Sequence, residues 1–291
     1  MAKRSNAQSE RLYFWIFVVP GLVYIILLRL LPSLYTLILS FFSWNLIEDP
    51  APIYAGMHNY IKAFSDASFL SSIWRTIVFT VCVTTLEFIL GLVIALLFDR
   101  DFAFKNIARS TILIPMIITP SIVGVIWYIL YNTTTGPINY FLGFLGINSI
   151  KWVASKDTAL LSVIIMDIWH WTPFMFLLLL SALQVIPRQL YEAAIVDGAS
   201  IWQLFWHVTL PLIKETAIVA IILRSLEAFR IFAEVYVMTG GGPANSTETM
   251  SMHIYKAAFN FFEMGYAGTM VVISLIMVMS LYAIYMRYIK F

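Results

Sequence analysis

Six apolar runs dominate the chain, at about Leu12–Leu31, Ile77–Phe98, Thr111–Tyr131, Ala159–Leu183, Ala217–Met238 and Tyr266–Met286. A helix needs about 20 residues to cross roughly 30 Å of hydrocarbon, and each run is long enough. The pattern predicts an all-α membrane protein with about six transmembrane helices, forming a single domain over residues 1–291. Lys3, Arg4 and Arg11 precede the first run, as they would in a signal peptide. That run holds Pro20-Gly21, continues past Leu28 and lacks a small-residue cleavage pattern, so it reads as an uncleaved helix. Arg29 and Pro32 lie near its far end and apolar character resumes at Leu34–Trp44, so the helix is either long or kinked at Pro32.

One polar interval is too long for a turn. About thirty residues, from roughly 185 to 214, separate the fourth and fifth runs. Pro187 suits a first helical turn. Gly198 suits the left-handed stop after a helix. Ser200 with Gln203 three residues on makes a capping box, and Pro211 interrupts before the fifth run. The segment 186–211 therefore predicts a helix-turn-helix outside the membrane. Ala193 and Ala194 give it a low-profile surface, and Glu192 offers a carboxylate to a cation on a partner. An amphipathic hairpin resting on the bilayer would carry the same punctuation.

Charge gives the orientation. With the N-terminus inside, Lys3, Arg4, Arg11, Arg100, Lys105, Arg109, Arg188, Lys214, Arg287 and Lys290 face the cytoplasm. Lys62, Arg75, Lys151, Lys156 and Lys256 face outward. Ten against five predicts both termini inside, with the 186–211 hairpin cytoplasmic. Segments near 44–74, 132–157 and 239–264 are then external.

Composition excludes other classes. Only 12% of residues are charged and 61% are hydrophobic, against about 25% charged in soluble domains. The net charge of +2 gives no footprint for nucleic acid. Cys82 is the sole cysteine and sits in an apolar run, so it reads as a small buried hydrophobe. His58, His170, His207 and His253 are scattered, and no metal site is expected. No G-x-x-x-x-G-K-[ST] loop occurs, so this chain is expected to bind no nucleotide cofactor itself.

Ionisable residues inside hydrocarbon demand an explanation. Glu87 lies in the second run, and Asp167 and His170 lie in the fourth. In the fifth, Arg224, Glu227, Arg230 and Glu234 fall within about 120° of one helical face, opposite Phe229, Phe232 and Tyr236. That stripe either lines a polar path or neutralises itself as a ladder of i,i+3 and i,i+4 pairs. His170, Trp171 and Phe174 are candidates for the same path, since aromatic faces suit sugar rings. Asp167 and His170 also suit interhelical hydrogen bonding, and Glu87 a structural role. Pro115, Pro120 and Pro173 interrupt membrane segments, as they do where helices line cavities.

The hairpin resembles the coupling signature of ABC importer permeases. The resemblance lies in Glu192-Ala193-Ala194, three residues, Gly198, nine residues, Val208, then Leu210-Pro211. Val208 stands where that family usually has isoleucine. Trp171-Thr172-Pro173-Phe174, Thr239-Gly240-Gly241-Gly242-Pro243, Thr247-Glu248-Thr249 and Tyr255–Phe259 are similar to its carbohydrate-uptake branch, which includes the maltose and glycerol-phosphate permease subunits. The resemblance covers about residues 12 to 289. It implies a non-enzymatic subunit of a sugar importer in a bacterial or archaeal cytoplasmic membrane. It implies coupling to an ATPase through Glu192, Ala193, Ala194, Asp197, Gly198 and Pro211. It implies partners: a second permease subunit, two ATP-binding subunits carrying ATP and Mg, and an extracytoplasmic solute-binding protein. That protein would meet outward loops such as Gly240, Gly241, Gly242 and Pro243. A sugar-phosphate or polyol-phosphate cargo is the alternative, with Arg224 and Arg230 as anion partners. A self-sufficient ion-coupled carrier would need an internal repeat, and a membrane enzyme a nucleophile with a base; neither is visible.

Overall fold

The computed structural model describes residues 2–287. Lys290, counted above among the inward charges, lies outside them. Among the described residues, five helices are long and apolar enough to cross a bilayer. They are α1 (Phe14–Leu39), α3 (Ala67–Asp99), α7 (Ala159–Val185), α9 (Ile201–Ala228) and α12 (Met264–Met286). A bent pair, α4 (Lys105–Ile117) followed by α5 (Pro120–Leu130), turned by 98°, is long and apolar enough together to make a sixth crossing if it is one span. Shorter helices fill the connections: α2 (His58–Ser65), α6 (Pro137–Phe144), α8 (Arg188–Val196), α10 (Ala233–Met238) and α11 (Met250–Tyr255). One short antiparallel pair, Phe42–Ser43 with Ile53–Tyr54, sits within this all-α architecture. The chain packs into two compact units, residues 2–66 with 254–276 and residues 67–253 with 277–287.

Three expected boundaries move, and proline explains two of them. Pro32 does not break the first span and Pro211 does not interrupt the fifth. A proline lacks an N–H and its ring collides with the carbonyl four residues back. In both places a π-turn stands immediately upstream, at Ile26–Leu30 and at Phe205–Thr209. The N–H of Leu31 then reaches the Ile26 carbonyl, and that of Leu210 the Phe205 carbonyl. The widened turn makes room for the ring, and the helix continues. Consequently α9 begins at Ile201 inside the hairpin, sixteen residues before the apolar run suggests. The third shift is at its other end: α9 stops at Ala228 rather than Met238.

In the larger unit the core is the seam between α3 and α7. Leu92, Ala95 and Phe98 pack with Phe176, Leu179, Leu180 and Leu183, joined by Ile213 and Ala217 of α9. Phe98 and Phe176 meet edge to face at 5.2 Å. Gly91 sets the closeness of the seam, because a Cβ there would stand 2.7 Å from Met175 Cβ and 2.9 Å from the Phe176 nitrogen. In the smaller unit the start of α12 lies against the end of α1. A Cβ on Gly265 would stand 1.8 Å from the Phe42 carbonyl oxygen, and Thr269 donates to the Ser40 carbonyl at 2.9 Å. Lys62 pairs with Glu263 at 3.0 Å, and the Tyr266 hydroxyl donates to Asp66 at 2.8 Å.

Gly91→Ala is expected to destabilise the protein by about 1–3 kcal/mol through overpacking. Gly143→Ala, where a Cβ meets nothing within 4 Å, is expected to be tolerated. Thermal unfolding of the two purified variants in detergent checks this, and equal midpoints would contradict the seam geometry.

Candidate functional site

The hairpin is built as its punctuation requires. Helix α8 ends in a Schellman motif: the Gly198 N–H reaches the Ile195 carbonyl and the Ala199 N–H reaches the Ala194 carbonyl, both at 2.9 Å. Gly198 takes φ +83°, the left-handed region where other residues are strained. Ser200 and Gln203 close the reciprocal capping box. Pro187 sits one residue earlier than expected, as the cap of α8 rather than in its first turn. Glu192, Ala193, Asp197 and Gly198 are exposed, and Ala194 is half-buried. Ile195, Val196, Ile201 and Trp202 beside them are also exposed. The Tyr191 hydroxyl meets the Thr209 hydroxyl at 3.1 Å and ties α8 back to α9.

The other end of α9 reaches a buried ion cluster. Arg224 Nε donates to Glu87 Oε2 at 2.6 Å and its Nη2 donates to Glu87 Oε1 at 2.9 Å. The same Nη2 donates to Asp167 Oδ2. The Trp171 ring lies 5.2 Å from the guanidinium carbon. The three charged side chains are at most 2% exposed. Each comes from a different span: α3, α7 and α9. The fork geometry of Arg224 matches one carboxylate edge-on and still reaches the second.

This arrangement corrects the expected ladder on the fifth span. Arg224 pairs across helices, not with Glu227. Glu227 pairs with Arg230 at 2.7 Å, and both are exposed. The stripe is cut because α9 ends and the chain turns at Phe229–Phe232 before α10 begins. No glycine or proline lies in that turn, so the break is tertiary in origin. Thr249 donates to the freed Ile231 carbonyl at 3.3 Å, and α10 packs on α5 where Gly124 allows close approach, with its Cβ position 3.2 Å from Val237.

His170 serves the other break. Its Nε2 lies 3.1 Å from the carbonyl of Ile118, the first of the two residues between α4 and α5, and its Nδ1 lies 3.8 Å from Glu234. Helix-breaking residues are tolerated in a membrane when side chains satisfy the freed backbone. Asp167 and His170 therefore do make the interhelical bonds expected of them.

Between the two breaks lies a cavity of about 250 Å³. Asp167, Trp171, Arg224, Glu227, Arg230 and Glu234 supply its polar and aromatic lining, with Pro120 and Phe232. Four of the sequence candidates for the path thus share one cavity: Trp171, Arg224, Glu227 and Arg230. His170 is buried behind it, and Phe174 stands edge-on to Trp171 without lining it. Glu234 and Phe232 were visible in the sequence only as members of one stripe or the opposite face. Their convergence needs the break.

The loop Thr239–Pro243, expected to face outward, is an ordered turn. Gly240 and Gly241 take positive φ, and the Gly242–Pro243 peptide is cis. The Thr239 and Thr247 hydroxyls meet at 2.7 Å, and Thr247 donates to the Gly242 carbonyl at 2.8 Å. Gly241 is buried and Gly240, Gly242 and Pro243 half-buried, while Ala244 and Asn245 form the exposed tip.

Arg224→Met is expected to lower stability by about 3–5 kcal/mol, because two buried carboxylates lose their counter-ion. Neutralising all three positions together, as Glu87→Gln, Asp167→Asn and Arg224→Met, is expected to recover most of that loss. Unfolding midpoints of the single and triple variants check both expectations.

Residues 87–290 match the family model described as binding-protein-dependent transport system inner membrane component. The chain is 34% identical over 276 residues to the trehalose/maltose transport system permease protein MalF of Thermococcus litoralis, covering 94% of this chain and 92% of that one. It is 34% identical over 282 residues to the sulfoquinovosyl glycerol transport system permease protein SmoG of Agrobacterium fabrum, covering 97% and 92%. In fold it is similar to a chain of a bacterial ABC transporter that imports the acidic polysaccharide alginate. The TM-score is 0.82 at 19% identity, covering 99% of this chain and 100% of that one. The chain belongs to the family of binding-protein-dependent transport system inner membrane components.

Proposed function

We propose that this chain is one permease subunit of an ATP-driven importer of sugars or oligosaccharides. It works with a second permease subunit, two ATP-binding subunits and an extracytoplasmic solute-binding protein. ATP and Mg are bound by the ATPase partners, and this chain catalyses no covalent chemistry. The relative named for trehalose and maltose supports a sugar cargo.

The observation that carries this reading is the helical continuity of α9. Ile201 belongs to the hairpin and Arg224 to the ion cluster, and one unbroken helix joins them. At 1.5 Å per residue the rod spans roughly 35 Å between the two. A partner that grips the exposed hairpin therefore acts on the helix that borders the cavity. This is alternating access by movement of a rigid element. The partner must hold the hairpin differently in its own two states, or ATP would bias nothing.

Both termini are placed in the cytoplasm in this reading. If the bent α4–α5 pair were re-entrant, Lys151, Lys156 and Lys256 would move inside. Arg188, Lys214, Arg287 and Lys290 would move outside, and the charge asymmetry would fall from ten against five to nine against six. Crossing by the pair is favoured. Helix α1 has none of its most apolar window buried within this chain, which leaves it available to lipid or to the second permease.

Glu192→Lys is expected to abolish uptake and substrate-stimulated ATP hydrolysis while leaving membrane insertion normal. Gly198→Val is expected to do the same by straining the left-handed turn, and Gly198→Asn to retain part of the activity. Uptake and ATPase assays on the reconstituted complex check this. Wild-type rates in both severe variants would remove the coupling role from the hairpin.

A further inference from the structure

We propose that the cavity at the α9–α10 break admits an uncharged polyhydroxyl ring and turns away anionic cargo, with Glu227 and Glu234 setting that preference. This deepens the importer reading and rests on it. The relatives leave the choice open, since one is named for trehalose and maltose and a structural neighbour imports an acidic polysaccharide.

Each guanidinium that faces the cavity is already held by a carboxylate of this chain. Arg224 is forked onto Glu87 and reaches Asp167 as well. Arg230 is paired with Glu227 at 2.7 Å. Glu234 adds a third carboxyl group to the lining, 5% exposed, with His170 Nδ1 at 3.8 Å and with Arg224, Asp167 and Glu227 around the same cavity. The lining thus has three acidic groups against two basic ones, and Glu87 stands as a fourth acid behind Arg224. A phosphate, sulfonate or uronate is bound through unengaged cationic donors, with arginine forks preferred. To obtain one here it would have to displace Glu227 from Arg230 while approaching Glu234. A sugar hydroxyl meets no such obstacle, because it donates to a carboxylate or accepts from a carboxylic acid. Trp171 and Phe232 supply faces for the C–H side of a ring. The volume of about 250 Å³ lies just under the ~300 Å³ at which ordinary small-molecule sites begin, which suits one ring at a time.

The test uses the complete importer in proteoliposomes, with its own binding protein. Uptake of a neutral glucose disaccharide is compared with uptake of its uronic acid analogue. The comparison is made for wild type, Glu227→Gln and Glu227→Asp. Glu227 is exposed, so its replacement leaves the core intact. The binding protein is the same throughout, so a changed ratio between variants reports on this chain. The wild type is expected to favour the neutral cargo by at least about tenfold, equivalent to ~1.4 kcal/mol. Glu227→Gln, which frees Arg230, is expected to raise the acid-to-neutral ratio several-fold, and Glu227→Asp to leave it near wild type. Equal uptake of the two cargoes by the wild type overturns the proposal, as does a ratio that Glu227→Gln leaves unmoved. Uptake of neither cargo, with hairpin-dependent ATP hydrolysis intact, removes the sugar reading itself and this proposal with it.

Discussion

Arg224 is the constraint around which the larger unit is arranged. A guanidinium among membrane-spanning helices has no water to solvate it, so its charge must be met where it lies. Glu87 and Asp167 meet it from two other spans, and the requirement fixes how α3, α7 and α9 are rotated about their axes. Once those rotations are fixed, Trp171 is brought against the guanidinium, and Asp167 is turned toward the cavity. The apolar seam at Gly91 and Met175 brings α3 and α7 into close contact. Hydrophobic packing in a bilayer does not choose one helix face over another strongly, because lipid tails are as apolar as leucine. The ion cluster makes that choice.

The second organising feature is where the backbone is allowed to be irregular. At Pro32 and Pro211 a π-turn absorbs the ring and the helix runs on. At Ile118 and at Phe229–Phe232 the helix does stop, and both sites border the cavity. There the freed carbonyls find side chains, His170 for Ile118 and Thr249 for Ile231. Broken helices in a membrane occur where they are buried or border a cavity, and the cavity lined by Asp167, Trp171 and Arg224 lies between these two breaks. Thus two similar proline-containing stretches have opposite outcomes: continuity in the rod, and a sharp bend at Pro120 beside the cavity.

Local chemistry was legible in the sequence, and long-range pairing was not. Gly198, Ser200 and Gln203 declared the hairpin because caps act within four residues. The spans were legible because hydrocarbon sets their length. Glu227 and Arg230 were recognisable as a pair because they are three residues apart. The partner of Arg224 was hidden, since Glu87 is 137 residues away and no spacing rule reaches that far. The end of α9 was hidden for a related reason. Ala228 to Ala233 contains only residues that a helix accepts, and the break is imposed by Gly124 and Thr249 from elsewhere. Pro115 and Pro120 marked the third span as irregular, but nothing in composition distinguishes a mild kink from a 98° bend.

In the proposed importer, these features together would determine how a push on the hairpin is transmitted. Turning α9 alone by one residue's worth of rotation, about 100°, would carry the Arg224 fork away from Glu87 and Asp167 at once. That would expose two buried carboxylates at a cost of about 3–5 kcal/mol. Moving α9 together with α3 and α7 costs none of those contacts. The three spans would therefore respond as one body in the proposed importer, and the compliance would lie elsewhere. On one side it lies at Phe229–Phe232, where the rod ends and only a short turn leads to α10. On the other it lies at Ile118, where α4 and α5 meet at their bend. Both hinges border the cavity, so displacement of the three-span body alters the distance from Trp171 and Arg224 to Glu234 and Phe232. In the proposed importer, a cluster that looks like static neutralisation would turn movement of the hairpin into a change in the shape of a site about 35 Å away.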